Sequence, residues 1–170
     1  MIIKNKKVKV IENFLEDNFF EDLRKLIMES EFSWFKRDFM VGDNDGTLGY
    51  FGHSFFNKHG VNCRYHDQFI VPILEKLNAH AVIQVRANLT PSCFYNNINS
   101  KFHTDYNYPC KTAILYLNSC NGGTQLKIDN EIQFIKAEKN KMLIFDSNIK
   151  HSGTPSTDVD FRYIINFNYY

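Results

Sequence analysis

The chain has 170 residues, 44% of them hydrophobic, with 16 Phe and 9 Tyr, which suits one domain with a real core and excludes a disordered chain. Lys and Arg number 20 against 19 Asp and Glu, a formal charge of +1, so there is no electrostatic case for a nucleic-acid partner. No apolar stretch approaches the roughly 20 residues of a membrane span, and "MIIKNKKVKV" lacks the continuous apolar run of a signal peptide.

In chain order, residues 7 to 11 predict a short first strand. In "NFFEDLRKLIMES", Phe19, Phe20, Leu23, Leu26 and Ile27 fall at helical spacing, and Asn18 with Glu21 three positions later predicts a capping box at the helix start. Ile70, Ile73, Leu74 and Leu77 form one stripe of a second helix near residues 67 to 78, with Pro72 kinking it or marking its first turn. Between the two, residues 36 to 66 are rich in Gly, Asn and aromatics and read as a long, partly irregular segment of the kind that forms functional loops or lids. Just before it, Trp34 and Phe35 read as core.

After residue 80 the character changes. "HAVIQVRANL", "KTAILYLN", "TQLKID", "EIQFIK", "KMLIFD" and "FRYIINFNYY" are short, β-branched or aromatic, and separated by Gly, Asn and Ser. Helices followed by many strands predict a mainly β fold, a sandwich or jelly roll buttressed by N-terminal helices. The expected organisation is a single domain over residues 1 to 170, with helical support to about residue 80 and the jelly-roll core from about 81 to 170. The cysteines, Cys63, Cys93, Cys110 and Cys120, are scattered without C-x-x-C spacing and read as free thiols in a reducing cytosol, so the expected location is cytoplasmic.

Three residues of the β region suggest chemistry. His103 and Asp105 would point to the same face of a strand. His151 follows the run "KMLIFD" by a few residues, and a jelly roll could carry it back to meet them. Two imidazoles and one carboxylate bind non-haem Fe(II) on one face and leave other coordination positions open. In "DFRYIINFNYY", Arg162, Ile164, Asn166 and Asn168 share one strand face, and Phe161, Tyr163, Ile165, Phe167 and Tyr169 share the other. The apolar face should pack on a layer such as the helices, which aims the guanidinium into the barrel mouth. A buried charge needs a partner. The carboxylate of a small ligand suits the paired donors of Arg; an ion pair with Asp158 or Asp160 is the structural alternative.

These residues resemble a known family. "HTD", the later "KH" and "FRYIINFNY" are similar to the H-x-D…H…R pattern of the 2-oxoglutarate and Fe(II)-dependent dioxygenases. "TAILYLNSCNGGTQL" resembles the strand, turn and Gly-Gly stretch of the prolyl-4-hydroxylase-like branch, and the likeness covers about residues 82 to 169. It implies a double-stranded β-helix, the cupin-like jelly roll. It also implies an oxidoreductase in which the catalytic residues His103, Asp105 and His151 hold the iron and Arg162 grips the distal carboxylate of 2-oxoglutarate. The implied cofactors are Fe(II), 2-oxoglutarate as cosubstrate and O2, with ascorbate as an accessory the family admits. The implied reaction is hydroxylation of a C–H bond, with release of succinate and CO2, on a peptide, prolyl among them, or a small metabolite. The family usually carries Ser or Thr where Ile164 stands, so one hydrogen bond to the cosubstrate must come from elsewhere; Tyr95, Asn88 and Arg86 are the candidates.

Two functions compete with this one. Another cupin-like metalloenzyme would use the triad with zinc or manganese and water. A non-catalytic jelly-roll module would bind glycans or protein partners without metal. Elsewhere, Gly122-Gly123 reads as a turn. His59, Cys63 and His66 are spaced like part of a zinc site without a fourth ligand. "DNDG" at 43 to 46 fails as a calcium loop, because Val41 and Gly52 would fall at its ligand positions.

Overall fold

The computed structural model describes residues 8–29, 31–37, 49–92 and 101–170. Through them the chain runs β1 (Val8–Ile11), α1 (Asp17–Met28), β2 (Phe35–Arg37), β3 (Tyr50–Asn57) and β4 (Gly60–Val61). A π-helical turn, His66–Ile70, then leads straight into α2 (Val71–Lys76). The remaining strands are β5 (Val82–Pro91), β6 (Lys111–Tyr116), β7 (Gly123–Ile128), β8 (Glu131–Lys136), β9 (Lys141–Asp146), β10 (His151–Thr154) and β11 (Phe161–Tyr169).

The strands form two antiparallel sheets. The larger has the order β1-β9-β6-β11-β5-β3-β2, with β4 paired to β3, and the smaller the order β10-β7-β8. One apolar core lies between the large sheet and the helices: Phe20, Leu23 and Ile27 of α1 and Ile73 and Leu74 of α2 pack with Ile165, Phe167 and Tyr169 of β11. A second lies between the sheets, where Ile114, Tyr116, Leu143, Phe145 and Ile164 meet Leu126, Ile128 and Ile135. This mainly β architecture is the expected jelly roll. Each fully buried Phe, Leu or Ile of the first core contributes about 1.5–3 kcal/mol.

The six strands expected after residue 80 are present, within two residues at either end. Pro72 does mark the first turn of α2, and Asn78, with φ at +54°, ends that helix in the left-handed conformation that Asn tolerates. Asp129 and Asn130, both at positive φ, make the two-residue turn that joins β7 to β8 and aligns Ile128 with Glu131.

Four local expectations fail, each for a tertiary reason. The capping box is absent: α1 starts at Asp17, Glu16 makes no side-chain cap bond, and Asn18 lies inside the first turn. The entry to the helix is instead held by Asn140, whose side chain accepts from Leu15 N and donates to Leu15 O, both at 2.8 Å. The described part of residues 36 to 66 is less irregular than expected, because β3 pairs with β5 in the large sheet. Its pattern is hard to read because the register shifts between Ser54 and Phe56. Consecutive Phe55 and Phe56 therefore both pack on the helical core, and the alternation is lost. Phe35, expected in the core, is 58% exposed on the edge strand β2, whereas Trp34 packs against the helical core. Finally, Gly122-Gly123 is more than a turn. A Cβ on Gly123 would strike the carbonyl oxygen of Ile135, and one on Gly122 would sit 2.7 Å from Thr154 O. The pair lets three strands of the small sheet approach closely.

Candidate active site

His103 stands just before β6 and forms an isolated antiparallel bridge with His151, the first residue of β10. The backbone bonds His103 N to His151 O at 2.9 Å and His151 N to His103 O at 2.8 Å fix the pair. Their rings lie 4.4 Å apart, and Phe145 packs edge-on against His151 at 5.0 Å. The ring orientation follows from the local chain. Nδ1 of His103 lies 3.0 Å from Lys101 O, and Nδ1 of His151 lies 3.2 Å from Ile149 O. Each carbonyl draws the ring proton to Nδ1 and leaves the Nε2 lone pair free. Both Nε2 atoms point at one oxygen of Asp105, with Oδ1 at 3.8 Å from His103 and 3.5 Å from His151.

The other carboxylate oxygen is fully engaged. Oδ2 accepts from Asn168 Nδ2 at 2.8 Å, from Thr112 Oγ1 at 3.0 Å and from Asn166 Nδ2 at 3.4 Å. Asn168 also donates to Thr112 at 3.0 Å, which ties β11 to β6 at the clamp. Burial opposes the charge on Asp105. The hydrogen bond and charge of His151, the Asn168 amide and His103 outweigh it and hold the carboxyl well below the usual range. Burial, reinforced by His151, pushes the His103 imidazole down against the pull of Lys101 O and Asp105. The result is an ionised carboxylate beside a neutral ring. The three donor atoms lie within 4.8 Å of one another, the only such cluster of His, Cys, Asp and Glu among the described residues. This donor set fits a ferrous ion.

The triad opens onto a cleft between the sheets, about 530 Å³ of empty space with its mouth included. Arg162 lies in its lining, 3% exposed, with Nε and Nη1 buried and unpartnered. Among the described residues it makes no ion pair. Asp158 is turned instead to the backbone N–H of Asn121, at 2.9 and 3.0 Å. Burial lowers the pKa of Arg162, and Tyr116 and Cys120 act the other way, but a guanidinium stays charged. A buried cation without a counter-ion in an open cleft fits an anionic ligand.

Of the other expected residues, Asn88 and Arg86 line the cleft, and Asn88 has its Oδ1 buried and unpartnered. Tyr95 and "DNDG" lie outside the described residues. His59, Cys63 and His66 are not brought together. Cys63, Cys110 and Cys120 are free thiols. No described helix is long and apolar enough to cross a membrane.

Sequence reasoning missed two features. Asn166 and Asn168 were visible on the same face as Arg162, but nothing local showed that they would hold Asp105. Tyr116 was hidden in an apolar run. It faces Ile164 across the β6–β11 ladder and donates to Thr124 Oγ1 at 2.7 Å. Burial pushes its pKa up to about 12, despite the Thr124 bond and the charge of Arg162.

Comparison with known proteins agrees with this geometry. Residues 92–170 match the family model of the 2OG-Fe(II) oxygenase superfamily. No curated protein matches the chain in direct sequence comparison. Among solved structures, a Trichoplax adhaerens prolyl hydroxylase, in complex with a hypoxia inducible factor oxygen degradation domain peptide fragment, superposes with a TM-score of 0.70 at 17% identity. That likeness covers 98% of this chain and 84% of that one. A Pseudomonas putida prolyl-4-hydroxylase gives 0.66 at 16% identity, over 96% and 92% of the two chains. A Burkholderia pseudomallei oxidoreductase of the 2OG-Fe(II) oxygenase family gives 0.74 at 8% identity, over 96% and 85%. These likenesses are to the double-stranded β-helix fold.

Proposed function

We propose that this chain, a member of the 2OG-Fe(II) oxygenase superfamily and a 2-oxoglutarate-dependent dioxygenase, hydroxylates a C–H bond of a peptide or small metabolite. In this reading His103 Nε2, Asp105 Oδ1 and His151 Nε2 hold Fe(II), and Arg162 takes the distal carboxylate of 2-oxoglutarate. The ion and cosubstrate together supply activation of O2, with succinate and CO2 as by-products. The observation that carries the reading is the unpaired, buried Arg162 in the same cleft as the three converging donors. A hydrolytic metalloenzyme with the same triad would leave that guanidinium without a role.

The chain's own residues prepare the site. Lys101 O and Ile149 O keep both imidazoles in the tautomer that presents Nε2. Thr112, Asn166 and Asn168 hold Oδ2, so that Oδ1 alone faces the ion. Ile164 supplies an apolar wall where a hydroxyl is usual in the family. Its cross-strand neighbours are Tyr116 on one side and Asn88 on the other. We assign the missing hydrogen bond to the side-chain amide of Asn88, which lines the cleft; the Tyr116 hydroxyl is already committed to Thr124. The small sheet covers the cleft with Thr124 and Gly153 and limits water. Prolyl peptides are one substrate class compatible with the fold neighbours.

The test is anaerobic titration of the protein with Fe(II) and then 2-oxoglutarate, followed by the visible charge-transfer band. The expected result is a band that requires both additions and is absent in His151→Ala. Failure of the wild-type protein to bind 2-oxoglutarate in the presence of iron would refute the assignment.

A further inference from the structure

The cleft holds a second guanidinium that this reading does not use. Arg86, half-buried on β5, lies in register with Asn166 of β11 and Ser54 of β3, and it lines the same cleft as the triad. Its stem passes over Gly52, where an added Cβ would sit 3.7 Å from Arg86 Cδ. Its guanidinium carbon lies 5.7 Å from the centre of the Tyr50 ring. An aromatic neighbour on the planar face leaves the N–H edge for a paired contact. Nε of Arg86 is buried and unpartnered, as are Oδ1 of Asn88 and Oδ1 of Asn166 beside it. No carboxylate pairs with Arg86 among the described residues.

Charge balance makes this specific. Among the described residues that line the cleft, Asp105 is the only acid. A ferrous ion and two guanidiniums outweigh it by three charges, and dianionic 2-oxoglutarate cancels two. One positive charge remains in a site of low dielectric, where it attracts an anion strongly. Arg162 would account for the distal carboxylate of the cosubstrate, and the ferrous ion would neutralise the other. We infer that Arg86 binds a carboxylate of the molecule that is oxidised, so that the substrate is an organic acid or an acidic peptide rather than a neutral one. This rests on Arg162 being the cosubstrate anchor. Asn88 and Asn166 add acceptors for a donor group, such as an amide N–H, next to that carboxylate.

Manganese-loaded, 2-oxoglutarate-saturated protein would be titrated calorimetrically with two matched pairs of probes. N-acetyl-alanine against N-acetyl-alaninamide presents a free terminal carboxylate and its neutral counterpart. N-acetyl-glutamate amide against N-acetyl-glutamine amide presents an acidic side chain within a peptide. The expected result is that at least one acid binds about tenfold or more tightly than its amide; the pair that discriminates tells a small acid from an acidic peptide. Arg86→Gln should erase the preference, Arg86→Lys should keep part of it, and 2-oxoglutarate affinity should stay unchanged in both. The inference falls if neither acid outbinds its amide, if the preference survives Arg86→Gln, or if Arg86→Gln weakens 2-oxoglutarate. Failure of the wild-type protein to bind 2-oxoglutarate at all would instead sink the cosubstrate reading beneath it.

Discussion

β11 presents opposite faces to unlike neighbours. One face carries Ile165, Phe167 and Tyr169 into the apolar core beneath the helices. The other, one residue out of step, carries Arg162, Asn166 and Asn168 into the polar cleft between the sheets, with Ile164 among them. The period of two along a strand separates the residues that hold the fold from those that form the site, although they alternate in sequence. The first face is complete within the chain. The second leaves a buried guanidinium unpaired among the described residues, which a stable fold tolerates only when a ligand or function compensates. The comparison teaches that stability and site chemistry here can be perturbed independently through neighbouring residues of one strand.

The largest effect on stability should come from the apolar face. Phe167→Ala empties a fully buried position and should destabilise the chain by about 3–5 kcal/mol, read as a fall in denaturation midpoint. Iron affinity below that midpoint should be preserved; a site lost at permissive temperature would mean that the two faces are not separable. On the other face, Arg162→Met should weaken 2-oxoglutarate binding by roughly 30-fold to 5 × 10³-fold, in line with about 2–5 kcal/mol for a buried charge pair. The ligand-free protein should melt no lower, because the change removes an uncompensated buried cation. A large drop in melting temperature would show that Arg162 is a structural residue after all. Asn168→Ala removes the shortest bond to Asp105 Oδ2 and should reduce Fe(II) affinity by about 10–100-fold. Equal affinity in wild type and variant would count against the clamp.

The smallest effect is a pH dependence. Burial alone would raise the pKa of Asp105, but His151, Asn168 and His103 more than reverse it. A depressed carboxyl gives its full stabilisation above the ordinary value of 3.8, and the contribution is lost as pH falls below that point toward the folded value. Metal-free wild-type protein should therefore lose stability between pH 4 and lower values more steeply than Asp105→Asn. Parallel acid limbs in the two proteins would show that these partners do not stabilise the charge.

Much of this was legible locally. The strands from β5 to β9 and β11 announce themselves by β-branched and aromatic runs between turn residues. The face carrying Arg162 follows from strand period, and the alternation along "FRYIINFNYY" already assigned its apolar partner. Less legible were β3, whose alternation a bulge breaks, and the start of α1, where Asn140 from far along the chain replaces a local cap.

The sequence by itself determined the fold class, the spacing of the metal-type donors and the strand face on which a guanidinium stands, because these depend on short-range periodicity and side-chain chemistry. Only the tertiary structure decided that His103 and His151 share a backbone bridge, that Asp105 is turned by Asn168 and Thr112 to offer one oxygen, and that Arg86 and Arg162 both enter the cleft without acidic partners among the described residues. Those facts are pairings between strands remote in sequence, set by register and sheet packing, and no local pattern encodes which distant residue will arrive opposite another.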